Sequence, residues 1–92
     1  MRLGLTPGAE ADLYELEKSL HLPGDTRPRV IECLRILEAF PSAGRTLEGE
    51  LASYRVWRGP WRWMLSVYEV LPDEDLVVVV AVHDARSSTA PS

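Results

Sequence analysis

The run Leu76-Val77-Val78-Val79-Val80-Ala81-Val82 restricts the fold more than any other segment of the chain. Its side chains are mostly β-branched, which crowds a helix and suits a pleated strand. Apolar and polar residues do not alternate along it. The pattern therefore predicts a strand from Leu76 to His83 at the centre of a sheet, covered on both faces. The run is far too short to span a membrane. The rest of the chain has to supply neighbouring strands and a layer that covers them.

The covering layer is predicted in the N-terminal half. Arg2–Leu5 reads as a short edge strand. Thr6-Pro7 then pairs an N-cap residue with proline at the first helical position, which predicts a helix from Pro7 to Leu20. Ala9, Leu13, Leu16 and Leu20 form one apolar stripe on it. Glu10, Asp12, Glu15 and Glu17 lie off that stripe and read as its wet face. His21-Leu22-Pro23-Gly24-Asp25 breaks the helix. A second helix is predicted from about Thr26 until Pro41 stops it, with Val30, Ile31, Leu34, Leu37 and Phe40 as its stripe. Two amphipathic helices joined by a short turn predict an αα-hairpin.

Between helices and valine strand lies Tyr54-Arg55-Val56-Trp57-Arg58-Gly59-Pro60-Trp61-Arg62-Trp63, with three arginines and all three tryptophans of the chain. The Gly-Pro reads as a turn between a strand Tyr54–Arg58 and a longer strand Trp61–Leu71. Pro72-Asp73-Glu74-Asp75 is the next turn. The fold class expected is α+β, with the αα-hairpin packed on one face of a mostly antiparallel sheet of three to four strands. One domain, 1–86, is expected, followed by a frayed tail, 87–92.

The chain has 92 residues and a net charge of −4. Residues 41–66 nevertheless carry four basic and two acidic side chains. Overall acidity argues against general coating of nucleic acid, whereas a local basic patch can still attract an anionic partner. Arginine offers a planar fork that matches phosphate, and aromatic faces stack on bases or on guanidinium groups. The alternative reading has these arginines lying over tryptophan faces or pairing with acids. Cys33, the only cysteine, excludes an intrachain disulfide and a thiolate-rich zinc site. It reads as a small buried or half-buried hydrophobe. No metal site and no cofactor are expected. Met1–Leu5 turns polar too soon for a signal peptide, so a cytoplasmic location is expected, with no membrane partner.

Several short motifs, in this order, resemble the RelE/ParE superfamily of bacterial type II toxins. Leu5-Thr6-Pro7-Gly8-Ala9-Glu10-Ala11-Asp12-Leu13 looks like the family's entry to its first helix. Leu37–Arg45 looks like the end of its second helix and the loop after it. Leu47-Glu48-Gly49-Glu50-Leu51, Tyr54-Arg55-Val56 and Gly59-Pro60-Trp61-Arg62 look like the following loop and its paired strands. Val82-His83-Asp84-Ala85-Arg86 resembles the end of its last strand. The match spans nearly the whole chain.

The resemblance implies a toxin held by a cognate antitoxin, as a homodimer or a heterotetramer with it. It also implies one of two targets: the ribosome with its messenger RNA, cut by a RelE-like endoribonuclease, or DNA gyrase, inhibited without cleavage by a ParE-like toxin. A non-catalytic interaction module of the same fold is the third reading. In the nuclease reading, Arg62 and Arg86 would stabilise charge at the scissile phosphate, the role for which preorganised cations are suited. His83 would move the proton, work to which an imidazole is suited; alternatively it only closes the valine strand. Arg45, Arg55, Trp57 and Arg58 would contact phosphate or target. The tyrosine that many RelE-like nucleases carry after the last arginine is absent from Ser87–Ser92, and Trp57 stands where a second basic residue is usual. An antitoxin segment would need an apolar groove, expected from Leu51, Val56, Trp57 and the helix flanks.

Overall fold

The computed structural model describes residues 1–86. The expected tail, 87–92, lies outside the described residues. The elements in order are β1 (Arg2–Leu5), α1 (Pro7–Ser19), α2 (Thr26–Leu34), α3 (Ile36–Ala39), β2 (Arg45–Thr46), β3 (Tyr54–Arg58), β4 (Met64–Leu71) and β5 (Leu76–Asp84). The fold is α+β, as the residue patterns require.

Five strands form one sheet in the order β1-β5-β4-β3-β2. The sheet is mostly antiparallel as expected, in three of its four pairings, but the expected three to four strands are corrected to five. β1 pairs with β5 in parallel, from Arg2 opposite Leu76 to Leu5 opposite Val79. The added strand, β2, pairs only through Arg45 and Thr46, opposite Val56 and Arg55 of β3. Two residues are too few to leave a periodic signal in a sequence. β3, β4 and β5 pair antiparallel.

Thr6 caps α1 as its position before Pro7 predicts, its hydroxyl accepting the Ala9 amide at 3.1 Å. The second predicted helix is broken. At Arg35 the amide is shared between the Ile31 and Glu32 carbonyls, at 3.1 and 3.3 Å, and a further turn, α3, follows. The helical hairpin is also looser than expected, because α1 packs chiefly on β5. The predicted strand start at Trp61 is corrected to Met64. Gly59 N–H bonds the Met64 carbonyl at 2.8 Å and Met64 N–H the Trp61 carbonyl at 3.0 Å, which closes residues 59–63 into a loop.

One core lies between the helices and the sheet. Ala9, Leu13, Val30, Leu34 and Leu37 meet Met64, Tyr68, Val77, Val79 and Val82 there. Phe40, predicted in the second stripe, is 62% exposed instead, because the chain leaves the helical path just before Pro41. The sheet's other face has no covering layer among the described residues. Val78 and Val80 are therefore only half-buried, and the valine strand is not covered on both sides. A bulge adds to that face. Val67 pairs with Ala81 but Tyr68 with Val79, so Val80 is the extra residue and both Val80 and Ala81 lie toward the open side. Beyond the bulge β1 has ended, and the Val82 N–H is taken by the Asp12 carboxylate of α1 at 3.0 Å.

Candidate functional site

Antiparallel partners share a face of a sheet, so the register sorts the arginines. Arg55 pairs with Tyr68 and Trp57 with Ser66, and both partners are buried under the helices. Arg55 and Trp57 therefore lie on the helix-covered face. Val56, paired with Val67, and Arg58, paired with Leu65, lie on the open face. Leu65 pairs in turn with His83. Arg58, Leu65 and His83 thus form one row across three strands, with Arg58 and His83 about 10 Å apart at the backbone from two strand spacings.

The open face is hollowed into an apolar trough of about 510 Å³, lined by Leu51, Tyr54, Val56, Leu65, Val67 and Ala81 among others. A second depression, about 400 Å³, lies between Arg45, Val56, Arg58 and Leu65 and shares Val56 and Leu65 with the first. The two are continuous; Arg45 and Arg58 line the second and His83 the first. Arg45, Arg58 and His83 are exposed.

Trp57 also lines the second depression, whereas Arg55, Arg62 and Arg86 line neither. Arg55 Nη1 donates to the Gly44 carbonyl at 2.8 Å and the Ser42 carbonyl at 3.2 Å. The Trp57 indole N–H donates to the Cys33 carbonyl at 3.0 Å, and its ring packs half-buried against the core. Of the groove residues expected from sequence, Leu51 and Val56 line the first depression and Trp57 the second. Arg62 is exposed in the loop between β3 and β4 and forms no ion pair among the described residues. Arg86 follows β5 and chelates Asp84, with Nε and Nη2 at 3.1 and 3.2 Å from its two oxygens. Its guanidinium also lies 4.4 Å from the centroid of Trp63. Trp63 stacks on Trp61 at 5.8 Å and 15°. The reading of an arginine over tryptophan and paired with an acid thus describes Arg86.

Sequence reasoning missed Leu47, Tyr54, Leu65, Val67 and Ala81 as trough residues. The usable signal was the alternation in Tyr54-Arg55-Val56 and Leu65-Ser66-Val67, which assigns one apolar set to each face. Asp84 as the partner of Arg86 carried no signal beyond its spacing of two. Cys33 is half-buried, and its thiol is pushed up by burial and by the Glu32 carboxylate, which keeps it protonated and unreactive at neutral pH. Among the described residues no group of three or more His, Cys, Asp or Glu is placed to hold a metal ion, and no helix is long and apolar enough to cross a membrane.

No protein-family model matches the chain, and no curated protein sequence does. Solved structures do match. The RelBE2 toxin–antitoxin complex of Mycobacterium tuberculosis superposes with a TM-score of 0.70 at 22% identity, over 90% of this chain and 95% of that one. A YoeB/ParE toxin from Agrobacterium tumefaciens gives 0.70 at 19% identity, over 91% and 98%. A chromosomal ParDE system from P. aeruginosa gives 0.69 at 17% identity, over 91% and 95%. This chain has the RelE/ParE toxin fold. The RelE/ParE fold match runs along nearly the full length of each chain.

Proposed function

We propose that this chain is the toxin of a type II toxin–antitoxin pair. It arrests growth when free and is silenced by a small cognate antitoxin. The observation that carries this reading is the uncovered trough of the sheet, apolar along its length and cationic at one end. A contiguous apolar hollow of this size left in water is characteristic of a surface made for a partner. Two of the similar structures, RelBE2 and an archaeal RelE–RelB, are toxin–antitoxin complexes. On this chain the antitoxin would lay apolar side chains along Leu51, Val56 and Val67 and carboxylates against Arg45 and Arg58.

For the target, RelE-like cleavage of messenger RNA on the ribosome is the first reading. It is supported by His83 and Arg58 standing at the ends of one cross-strand row. In it, His83 takes the 2′-hydroxyl proton or returns one to the 5′-oxygen. Arg58, with Arg62 from the neighbouring loop, stabilises charge on the phosphorane. The second reading is ParE-like inhibition of gyrase without cleavage. It is supported by the engagement of Arg86 with Asp84 and of Arg55 with backbone carbonyls, two groups that a phosphate site would draw on.

Induction in cells lacking the antitoxin tests both. Growth arrest with broken transcripts, lost in His83→Ala and Arg58→Ala, is expected. Intact transcripts with relaxed plasmids would favour the gyrase reading. Unimpaired growth at full expression would sink the toxin assignment itself.

A further inference from the structure

Arg55 belongs to the arginine cluster by sequence, yet its guanidinium is already committed. We propose that Arg55 is a positioning residue. Together with Tyr68 it clamps the turn Pro41–Gly44 and thereby sets where Arg45 and the β2 wall of the trough stand. The proposal rests on the trough being the functional surface, but the clamp itself is a matter of geometry.

Two side chains grip this turn. Arg55 Nη1 donates to the Ser42 and Gly44 carbonyls. The Tyr68 hydroxyl donates to the Pro41 carbonyl at 2.7 Å and accepts the Gly44 N–H at 2.9 Å. Four hydrogen bonds thus hold three residues of the four-residue turn, two of the bonds on Gly44. The fit is close: a Cβ on Gly44 would stand 2.5 Å from the Tyr68 oxygen and 2.6 Å from the Val56 carbonyl. Only glycine allows the turn to approach so near.

The clamp matters because β2 cannot place itself. Its ladder has two residue pairs, and β2 is the outermost strand. Ordering a residue costs ~1–2 kcal/mol of backbone entropy, and a net hydrogen bond returns ~0.5–1.5. So short a ladder needs anchoring from outside. Arg45 directly follows Gly44, so its reach into the trough inherits the position of the turn. The same sheet register that puts Arg45 and Arg58 on the open face puts Arg55 on the other. Arg55 therefore acts on the cationic end of the trough from behind.

Hydrogen exchange on the purified chain, compared for wild type, Arg55→Ala and Arg55→Lys, tests the clamp without any assumed target. Amides of Gly44, Arg45 and Thr46 are expected to exchange at least about tenfold faster in Arg55→Ala, while those of β5 stay as in wild type, which also shows that the variant folds. Both bonds leave Nη1, and Arg55→Lys keeps the charge on a stem one bond too short to bring a nitrogen there, so it should behave like Arg55→Ala. Unchanged exchange at 44–46 overturns the proposal, as does full protection in Arg55→Lys. A double-mutant cycle on growth arrest then asks whether Arg55 acts through Arg45. Arg55→Ala should add nothing to Arg45→Ala; an equal loss in both backgrounds overturns the positioning role. If wild type does not arrest growth, the toxin reading fails while the exchange experiment still judges the clamp.

Discussion

Replacing Tyr68 by phenylalanine removes one oxygen from the interior and keeps the ring. Tyr68 is fully buried, so the change isolates what the hydroxyl does. It leaves the buried Gly44 amide without the acceptor it has at 2.9 Å and the Pro41 carbonyl without its donor at 2.7 Å. A buried donor stripped of its partner costs ~1–3 kcal/mol. Pro41 is half-buried and its carbonyl keeps some access to water, so its loss is nearer ~0.5–1 kcal/mol. The expected destabilisation is therefore about 2–3 kcal/mol, which for a domain of this size lowers Tm by ~10–20 °C. Urea titration followed by tryptophan fluorescence measures it, with a lower midpoint and an unchanged slope expected. A loss below about 0.5 kcal/mol would refute the reasoning, because it would mean that the turn is not held by this hydroxyl. The pH dependence gives a second check. Burial raises the Tyr68 phenol above its ordinary value, against smaller opposing effects of the Gly44 amide and the Arg55 charge. The unfolded chain then releases the proton first, near pH 10, so above that pH it binds fewer protons than the native state and stability falls as pH rises. Below about pH 9 the contribution is flat. The phenylalanine variant should lose this part of the alkaline slope.

Gly44→Ala should destabilise by at least about 2 kcal/mol, since its methyl meets backbone and a buried ring within 2.7 Å; a melting curve matching wild type would show that the turn can retreat. Ser66→Ala should be neutral or stabilising by up to ~1 kcal/mol, because the Ser66 hydroxyl is buried with no hydrogen-bond partner among the described residues; a clear loss in urea titration would reveal a partner for it. Leu51→Asp should abolish antitoxin binding by calorimetry while leaving Tm within a few degrees, as Leu51 is 54% exposed in the trough wall; undiminished affinity would remove the trough from the antitoxin interface. Arg27→Ala should cost less than ~1 kcal/mol, because both Arg27 and Glu10 are largely exposed. Arg27 holds the Glu10 carboxyl below its ordinary value, so the pair's small contribution is present above about pH 4.5 and fades as pH falls; an acid titration of stability identical in the variant would contradict it.

Particular residues show how far the sequence could be read. Thr6-Pro7 marked the start of α1 to the residue, and Tyr54–Arg58 matched β3 at both ends, because caps and short alternating segments act locally. Trp61 and Trp63 were misassigned to a strand because aromatic residues favour strands, while the hydrogen bonds that close the 59–63 loop depend on where β4 is already paired. Phe40 was misassigned because a 3.6-residue stripe continues on paper past the point where the chain turns away. Among the expected target residues, Arg45, Arg58 and His83 came together on the open face, whereas Arg55 and Trp57 went to the other. Alternation held that distinction in principle, yet it becomes informative only once the covered face is known.

The amino-acid order alone determined that a valine strand would lie inside a sheet, that two apolar stripes would cover one side of it, and that positive charge would gather between residues 41 and 66. These follow from side-chain shape, spacing and charge, which are properties of neighbours along the chain. Tertiary structure alone decided that β1 runs parallel to β5, that a two-residue strand closes the far edge, that a bulge turns both Val80 and Ala81 outward, and which guanidinium groups stay available. Those outcomes depend on pairing register between segments far apart in sequence, and a shift of one residue in that register moves every side chain to the opposite face.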